Sequence, residues 1–258
     1  MKLHGIGLVC TGGAIQSFLA RMPSVLTRLG PIKASSFRVA RQIARSLQAG
    51  QAVSHYSALE NCPMIWFAVP DTMMNRALRD FLGQTSAQKS MIVLCDCERD
   101  SSEASSLTQV GARVASLNPI PETRERDFVA EGHPETVRGL RRLLAEDGRK
   151  MIELQSGMKA MFFAGLRFSA PLLLPWIASA IESLRAAGLS RAEAVSVAEH
   201  IGTRTLRRYA KAGARAWNRK TAASLRYALE HEVETIRTQD PRLSELYAKG
   251  IRIALEKF

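Results

Sequence analysis

The stretch LHGIGLVCTGGAI, Leu3 to Ile15, sets the reading of the whole chain: an apolar run of strand length stops at two glycines, Gly12 and Gly13, and helical periodicity begins behind them. A strand that ends in a glycine turn ahead of a helix suits dinucleotide binding, because the turn lets backbone approach a pyrophosphate held at the helix N-terminus. Against the pattern GxGxxG the match is partial. Gly12 keeps the middle glycine, whose missing side chain permits that approach, but Cys10 stands at the first position and Ile15 at the third. Ile15 is expected to push the helix off the sheet or to leave it differently packed. Gly12 and Gly13 also read as an ordinary strand-to-helix turn, so the motif depends on its context.

That context is supportive. From Leu3 to Leu117, strand-like apolar runs alternate with helical segments, the pattern of a parallel sheet covered on both faces. The expected strands are Leu3 to Cys10, Ile32 to Ser36, a short one near Gln51 to Val53, Met64 to Val69, Met91 to Cys95 and Ala112 to Leu117. Between them fall helices at Gly13 to Leu29, made irregular by Pro23, then Phe37 to Gln48, Asp71 to Leu82 and Ser101 to Val110. Past Asn118 come a strand at Asp127 to Glu131, a helix from Pro134 to Ala145 and a strand at Lys150 to Glu153. After Gln155 the pattern is helical throughout: Met158 to Ala187, Ser190 to Gly213, Thr221 to Gln239 and Pro241 to Lys257. The reading is therefore α/β, a Rossmann-like, mainly parallel sheet domain over residues 1–155 and an all-helical domain over 156–258. The Met158 to Ala187 helix, apolar on more than one face, suits the centre of a bundle or a subunit interface.

In such a domain the ligand lies over the carboxyl ends of the strands, which makes Thr11, Gly12 and Gly13 candidate cofactor-binding residues together with Val69, Pro70 and Asp71 at the end of the Met64 strand. Pro70 and Asp71 also read as plain punctuation, a strand stop and a helix cap. The end of the second strand selects the nucleotide: an acid there would hold ribose hydroxyls, and basic residues would accommodate a 2′-phosphate. The chain has Ser35, Ser36 and Arg38 there and no acid, which favours NADP over NAD. Alternatively, Ser36 caps the next helix and the arginine lines its solvent face.

With these pieces placed, the chain resembles the Rossmann-like family with an all-helical C-terminal domain of unknown function, whose wider kin include pyrroline-5-carboxylate reductase and F420-dependent NADP oxidoreductase. The matching pieces are the Gly12 turn, AVPD at Ala68 to Asp71, GARVASLNP at Gly111 to Pro119, FVAEG at Phe128 to Gly132 and KAMFFAG at Lys159 to Gly165, in order and spacing across nearly the whole chain. The resemblance implies an NADP-dependent oxidoreductase that moves hydride between its cofactor and a small anionic carbonyl or imine substrate. It also implies a histidine and an asparagine facing the nicotinamide, where this chain has Phe163 and Pro171. Asn118 replaces the histidine before proline, and Asp96-Cys97 replaces a serine-glycine pair. Lys159 is left as the one catalytic nominee, able to bind or protonate a carbonyl, although a lysine on a helix surface is usually just solvated. A non-catalytic Rossmann relative, kept as a sensor or interaction module, is the alternative.

The 258 residues suffice for two modest domains, and a net charge of +12 attracts anions without choosing among them. Eight cations, Arg204, Arg207, Arg208, Lys211, Arg215, Arg219, Lys220 and Arg226, fall between Ile201 and Leu229 with no acid. This face suits an anionic ligand, an acidic partner or a nucleic-acid backbone, or is merely solvated; nucleic acid ranks last because few aromatics interleave. Cys10, Cys62, Cys95 and Cys97 and the five histidines form no metal-ligand pattern, so no metal is expected. Cys95 and Cys97 would share one face of a strand. The apolar run Phe168 to Ala178 is short of the roughly 20 residues that cross a bilayer, so no membrane span is expected. A cytoplasmic protein, homodimeric through its helical domain, is the resulting expectation.

Overall fold

The computed structural model describes residues 5–12, 14–20, 22–120 and 128–257. The chain divides into two compact units, residues 1–166 and 167–258, the division falling beyond Gln155 at Leu166. The first unit is built on eight strands: β1 (Ile6–Cys10), β2 (Leu29–Lys33), β3 (Gln51–Val53), β4 (Met64–Ala68), β5 (Met91–Cys95), β6 (Arg113–Pro119), β7 (Phe128–Gly132) and β8 (Met151–Glu153). They lie in the order β3-β2-β1-β4-β5-β6-β7-β8. Every pairing is parallel except β6 with β7.

The central strands are apolar at consecutive positions because both faces are covered. Alternate residues feed two cores. Leu8, Trp66 and Val93 enter one, and Val9, Phe67 and Leu94 enter the other. The first core is closed by α1 (Ala14–Leu19), α2 (Pro23–Leu26), α3 (Phe37–Leu47) and α6 (Pro134–Glu146). The second is closed by α4 (Asp71–Leu82) and α5 (Ser105–Gln109). Ile15, at the third glycine position, is 4% exposed in the first core, so the turn accommodates it by packing it beneath a helix of only 6 residues.

Several boundaries differ from the sequence reading, each for a local reason. The expected Gly13 to Leu29 helix is α1 and α2, because Pro23 occupies the first turn of α2 and donates no bond to a preceding helix. Leu29 already belongs to β2, and that strand stops at Lys33 rather than Ser36. Its Pro31 is tolerated next to the register shift between the Ile6 and Leu8 pairings. Ser101 to Val110 is a 3-10 turn, Ser101–Ala104, followed by the short α5. Cys95 and Cys97 do not share a face: Asp96 adopts a left-handed conformation (φ 52°), which breaks the alternation and sends Cys95 into the first core and Cys97 into the second. Leu3, Gly13 and Asp127, expected ends of elements, lie outside the described residues.

Two polar contacts tie the first crossover to distant sequence. Ser24 donates its N–H to Asp147 Oδ1 at 3.0 Å and its hydroxyl to Asp147 Oδ2 at 2.7 Å. Arg28 pairs with Glu146 at 2.8 Å. At the other end of the sheet Gly132 (φ 123°) passes so close to β6 that an added Cβ would lie 2.5 Å from the Val114 carbonyl oxygen, so only glycine fits.

Helix α7 (Lys159–Ser169) spans the division between the units. The second unit continues with α8 (Leu174–Ala186), α9 (Arg191–Ala212), α10 (Arg219–His231), α11 (Val233–Gln239) and α12 (Pro241–Lys257). Pro171 explains why Met158 to Ala187 is two helices, since it lacks a donor and disfavours helix in the residue before it. The expected Thr221 to Gln239 helix is likewise two, α10 and α11, separated at Glu232. Helix α9 starts with a capping box, Ser190 and Glu193 each bonded to the other's backbone. Helix α12 closes on α8 through Gly250, where a Cβ would meet the Trp176 ring at 2.7 Å. No residue of α8 is buried, and Leu174, Trp176 and Ile177 are 63%, 41% and 42% exposed. The apolar stretch is longer than the sequence reading took it to be: Lys159–Ala186, 28 residues with mean hydropathy 1.4 in its most apolar window, is sufficient to cross a membrane by length and composition alone.

Candidate functional site

The strand order reverses direction between β1 and β4: β2 and β3 lie on one side, β5 and β6 on the other. In open α/β sheets ligands bind outside the carboxyl ends of the strands at such a point. Cys10 pairs with Ala68 there, and the chain leaves as Thr11 and Gly12 on one strand and Val69 and Pro70 on the other. A cleft of about 350 Å3 opens at this edge, and Thr11, Lys33, Ser35, Tyr56, Val69 and Met73 are among its walls. A Cβ on Gly12 would meet nothing within 4 Å, so this glycine faces open space. Grooves of about 400 and 430 Å3 on the second unit are larger, but they are lined by α11 with α12 and by α9 alone, without a glycine turn.

The structure brings Thr11, Ser35 and Val69 of the sequence-derived candidates onto this cleft, with Gly12 following Thr11. Gly13 lies outside the described residues. Ser36 is the cap of α3, its hydroxyl oxygen accepting from Val39 N–H at 3.3 Å, and Arg38 is exposed on that helix and does not line the cleft. Pro70, not Asp71, occupies the capping position of α4. Asp71 is turned to the next loop instead, accepting from Glu98 N–H at 3.1 Å and lying 3.7 Å from Arg99 Nε.

Sequence reasoning missed Lys33, Tyr56 and Met73. Lys33 falls inside the expected strand Ile32 to Ser36, whose end is in fact Lys33 itself. Its ammonium sits 5.0 Å from the centre of the Tyr56 ring. It also pulls on Cys10: burial drives that thiol up to about 12, with the Lys33 charge opposing. All four cysteines are free and buried, and no metal-ligating group occurs among the described residues.

At the ends of β5 and β6 a second cluster forms. Lys159 is 1% exposed, so it is not a solvated surface lysine. Its Nζ donates to the Arg99 carbonyl oxygen at 2.7 Å and contacts Cys97 Sγ at 3.8 Å. Asn118 Nδ2 donates to the Cys97 carbonyl oxygen at 2.8 Å, and Asp96 N–H donates to the Leu117 carbonyl oxygen at 2.9 Å. The loop from Asp96 to Arg99 is thereby held from β6, α4 and α7. Replacing Lys159 by methionine removes the donor to Arg99 and is expected to lower unfolding free energy by about 1.5–3 kcal/mol, read by urea denaturation.

Beneath this loop is a polar centre the sequence did not announce. Glu131, in the FVAEG stretch, is 1% exposed. Its carboxylate accepts from Ser101 N–H at 2.8 Å and from the Ser101 hydroxyl at 2.7 Å, and it also receives the Ser116 hydroxyl. On the second unit the eight cations between Ile201 and Leu229 are all exposed, and no carboxylate pairs with them among the described residues.

Sheet order, a glycine turn at the switch point and a helical second part define a Rossmann-like fold with a helical C-terminal region. The same fold is found over nearly the full length of solved oxidoreductase structures. A Bacteroides fragilis protein provisionally assigned as an NADP oxidoreductase is 14% identical, with a TM-score of 0.73 and 98% of each chain covered. A variant imine reductase from Myxococcus stipitatus in complex with NAD+ is 12% identical, with a TM-score of 0.72, covering 100% of this chain and 95% of that one. An imine reductase from the same organism in complex with NADP+ is 13% identical, with a TM-score of 0.67 and coverage of 97% and 94%. No protein-family model and no curated protein sequence matches the chain.

Proposed function

We propose that the chain binds a nicotinamide dinucleotide, NADP(H) in preference to NAD(H), along the carboxyl edge of its sheet and acts as an oxidoreductase on a small carbonyl or imine substrate. One observation carries this reading: the ends of β1, β2 and β4 meet on a single cleft beside a glycine that opens onto free space. The residues fit the group. Thr11 and Gly12 offer backbone to a pyrophosphate, Ser35 a hydroxyl to a ribose, and Val69 with Met73 an apolar wall to a base. The cofactor, when bound, supplies the hydride, which no side chain of the protein can. The protein contributes position and charge.

Lys159 is the nominee for proton handling in this reading, and its burial favours a second one, a non-catalytic module that keeps the fold. The exposed apolar residues of α8 support a homodimer formed through the helical unit, which would cover them without a bilayer. The cationic face of α9 and α10 is the place for a small anionic ligand, ahead of nucleic acid. Four free thiols fit a cytoplasmic location.

Titration of the purified chain with NADPH and NADH, followed by cofactor fluorescence and thermal shift, tests the proposal. Micromolar NADPH binding with a raised melting temperature supports an oxidoreductase; binding of neither nucleotide leaves the non-catalytic reading.

A further inference from the structure

We infer that Lys33 is the side chain that selects NADP(H) over NAD(H), by holding the phosphate monoester carried on the adenosine ribose. The inference rests on the cofactor reading above and deepens it. Lys33 ends β2, the strand whose carboxyl end faces that ribose in dinucleotide folds. Strand alternation turns Ile32 into the first core and sends Lys33 to the opposite face, onto the wall of the 350 Å3 cleft.

The ammonium there is poised and under-used. It is half-buried and held against the Tyr56 ring. Of its three donors one is engaged, with the carbonyl oxygen of Ala34 at 2.6 Å, and no carboxylate pairs with it among the described residues. A partly desolvated cation without a counter-ion, at the wall of an open cleft, calls for an anion. Arg76 and the Ser36 hydroxyl are engaged elsewhere, and Arg38 does not line the cleft. Arg76 lies 3.8 Å from Asp80. The Ser36 hydroxyl accepts the capping bond of α3, and Arg38 stands on the exposed face of that helix. Ser35 and Ser54 add neutral hydroxyl donors on the same cleft. A phosphate monoester can use Lys33, Ser35 and Ser54 together. A bare 2′-hydroxyl would want an acid at the end of β2, and the residues there are Ala34, Ser35 and Ser36.

The test is a set of titrations of the full chain with NADPH, NADH, adenosine 2′,5′-bisphosphate and ADP, read by calorimetry, on the unaltered protein and on Lys33→Gln, Lys33→Arg and Arg38→Ala. Thermal denaturation confirms that each variant is folded. The unaltered chain is expected to bind NADPH and the bisphosphate at least about 10-fold tighter than NADH and ADP, a margin typical of one charge-assisted contact. Lys33→Gln erases that margin while NADH affinity stays the same, Lys33→Arg restores most of it, and Arg38→Ala keeps it. A margin that survives Lys33→Gln, or one that collapses with Arg38→Ala, overturns the inference and leaves the cofactor reading standing; equal affinity for NADPH and NADH in the unaltered chain overturns the inference and the NADP preference, and leaves only the binding of a nicotinamide dinucleotide. Failure of both dinucleotides to bind overturns the cofactor reading and this inference with it.

Discussion

Gly12→Val is expected to weaken NADPH binding by at least about 100-fold, some 2.7 kcal/mol, while leaving the fold and its melting temperature in the absence of ligand unchanged. The separation of the two effects is the point. A Cβ at Gly12 meets no protein atom within 4 Å, and Gly12 is not among the residues with positive φ, so a side chain begins there without a clash at its Cβ and without backbone strain. The added methyls would instead occupy the open space beside Thr11 that a pyrophosphate needs. Calorimetric titration against thermal denaturation measures both quantities on one sample. A Gly12→Val chain that binds NADPH as well as the original would place the cofactor away from this turn.

The second large effect concerns stability. Glu131→Ala strands three donors at once, the Ser101 N–H and the hydroxyls of Ser101 and Ser116, in a region where Glu131 and Ser116 are each 1% exposed. Unpaired buried polar groups carry their full desolvation cost, so a loss of about 3–5 kcal/mol is expected from urea unfolding. Glu131→Gln keeps a carbonyl acceptor for one or two of the donors and is expected to lose about half as much. A loss below about 1 kcal/mol for alanine would mean that the three donors find other partners and that Glu131 is not what anchors the Ser101 turn.

Both residues show how unevenly the molecule can be read from its sequence. Strands β1, β4 and β5 are legible because a strand covered on both faces must be apolar at every position, and IGLVC, MIWFA and MIVLC are. Strand β2 is misplaced because Gly30 and Pro31 carry the signature of a turn, and the bulge that lets proline sit inside a sheet is a property of its pairing with β1, which local sequence does not encode. With the strand's end set at Ser36, Lys33 reads as one of its inner positions, and the cation on the cleft is missed. Thr11, Ser35 and Val69 fall on one cleft because the carboxyl ends of the strands follow from topology once the strands are placed. Ser36 and Asp71 look equally eligible in sequence, yet a cap and a loop contact claim them first. Glu131 is invisible for a different reason: its partners come from 15 and 30 residues earlier, and only the antiparallel return of β7 along β6 brings them together. The left-handed Asp96 defeats the alternation rule at Cys97 in the same way, since a single dihedral angle reverses which core receives the thiol.

The bond from Ser24 to Asp147 bears on how the chain is made. It joins residues 123 apart in sequence, and the Arg28 to Glu146 pair beside it joins residues 118 apart. Because α6 packs into the core that α1 and α2 share, these two helices lack part of their native contacts until β1 to β7 have been synthesised. The core around Phe18, Leu19 and Val25 is therefore complete only once α6 has been made, and the native state of the sheet unit is expected to arrive late and cooperatively rather than strand by strand.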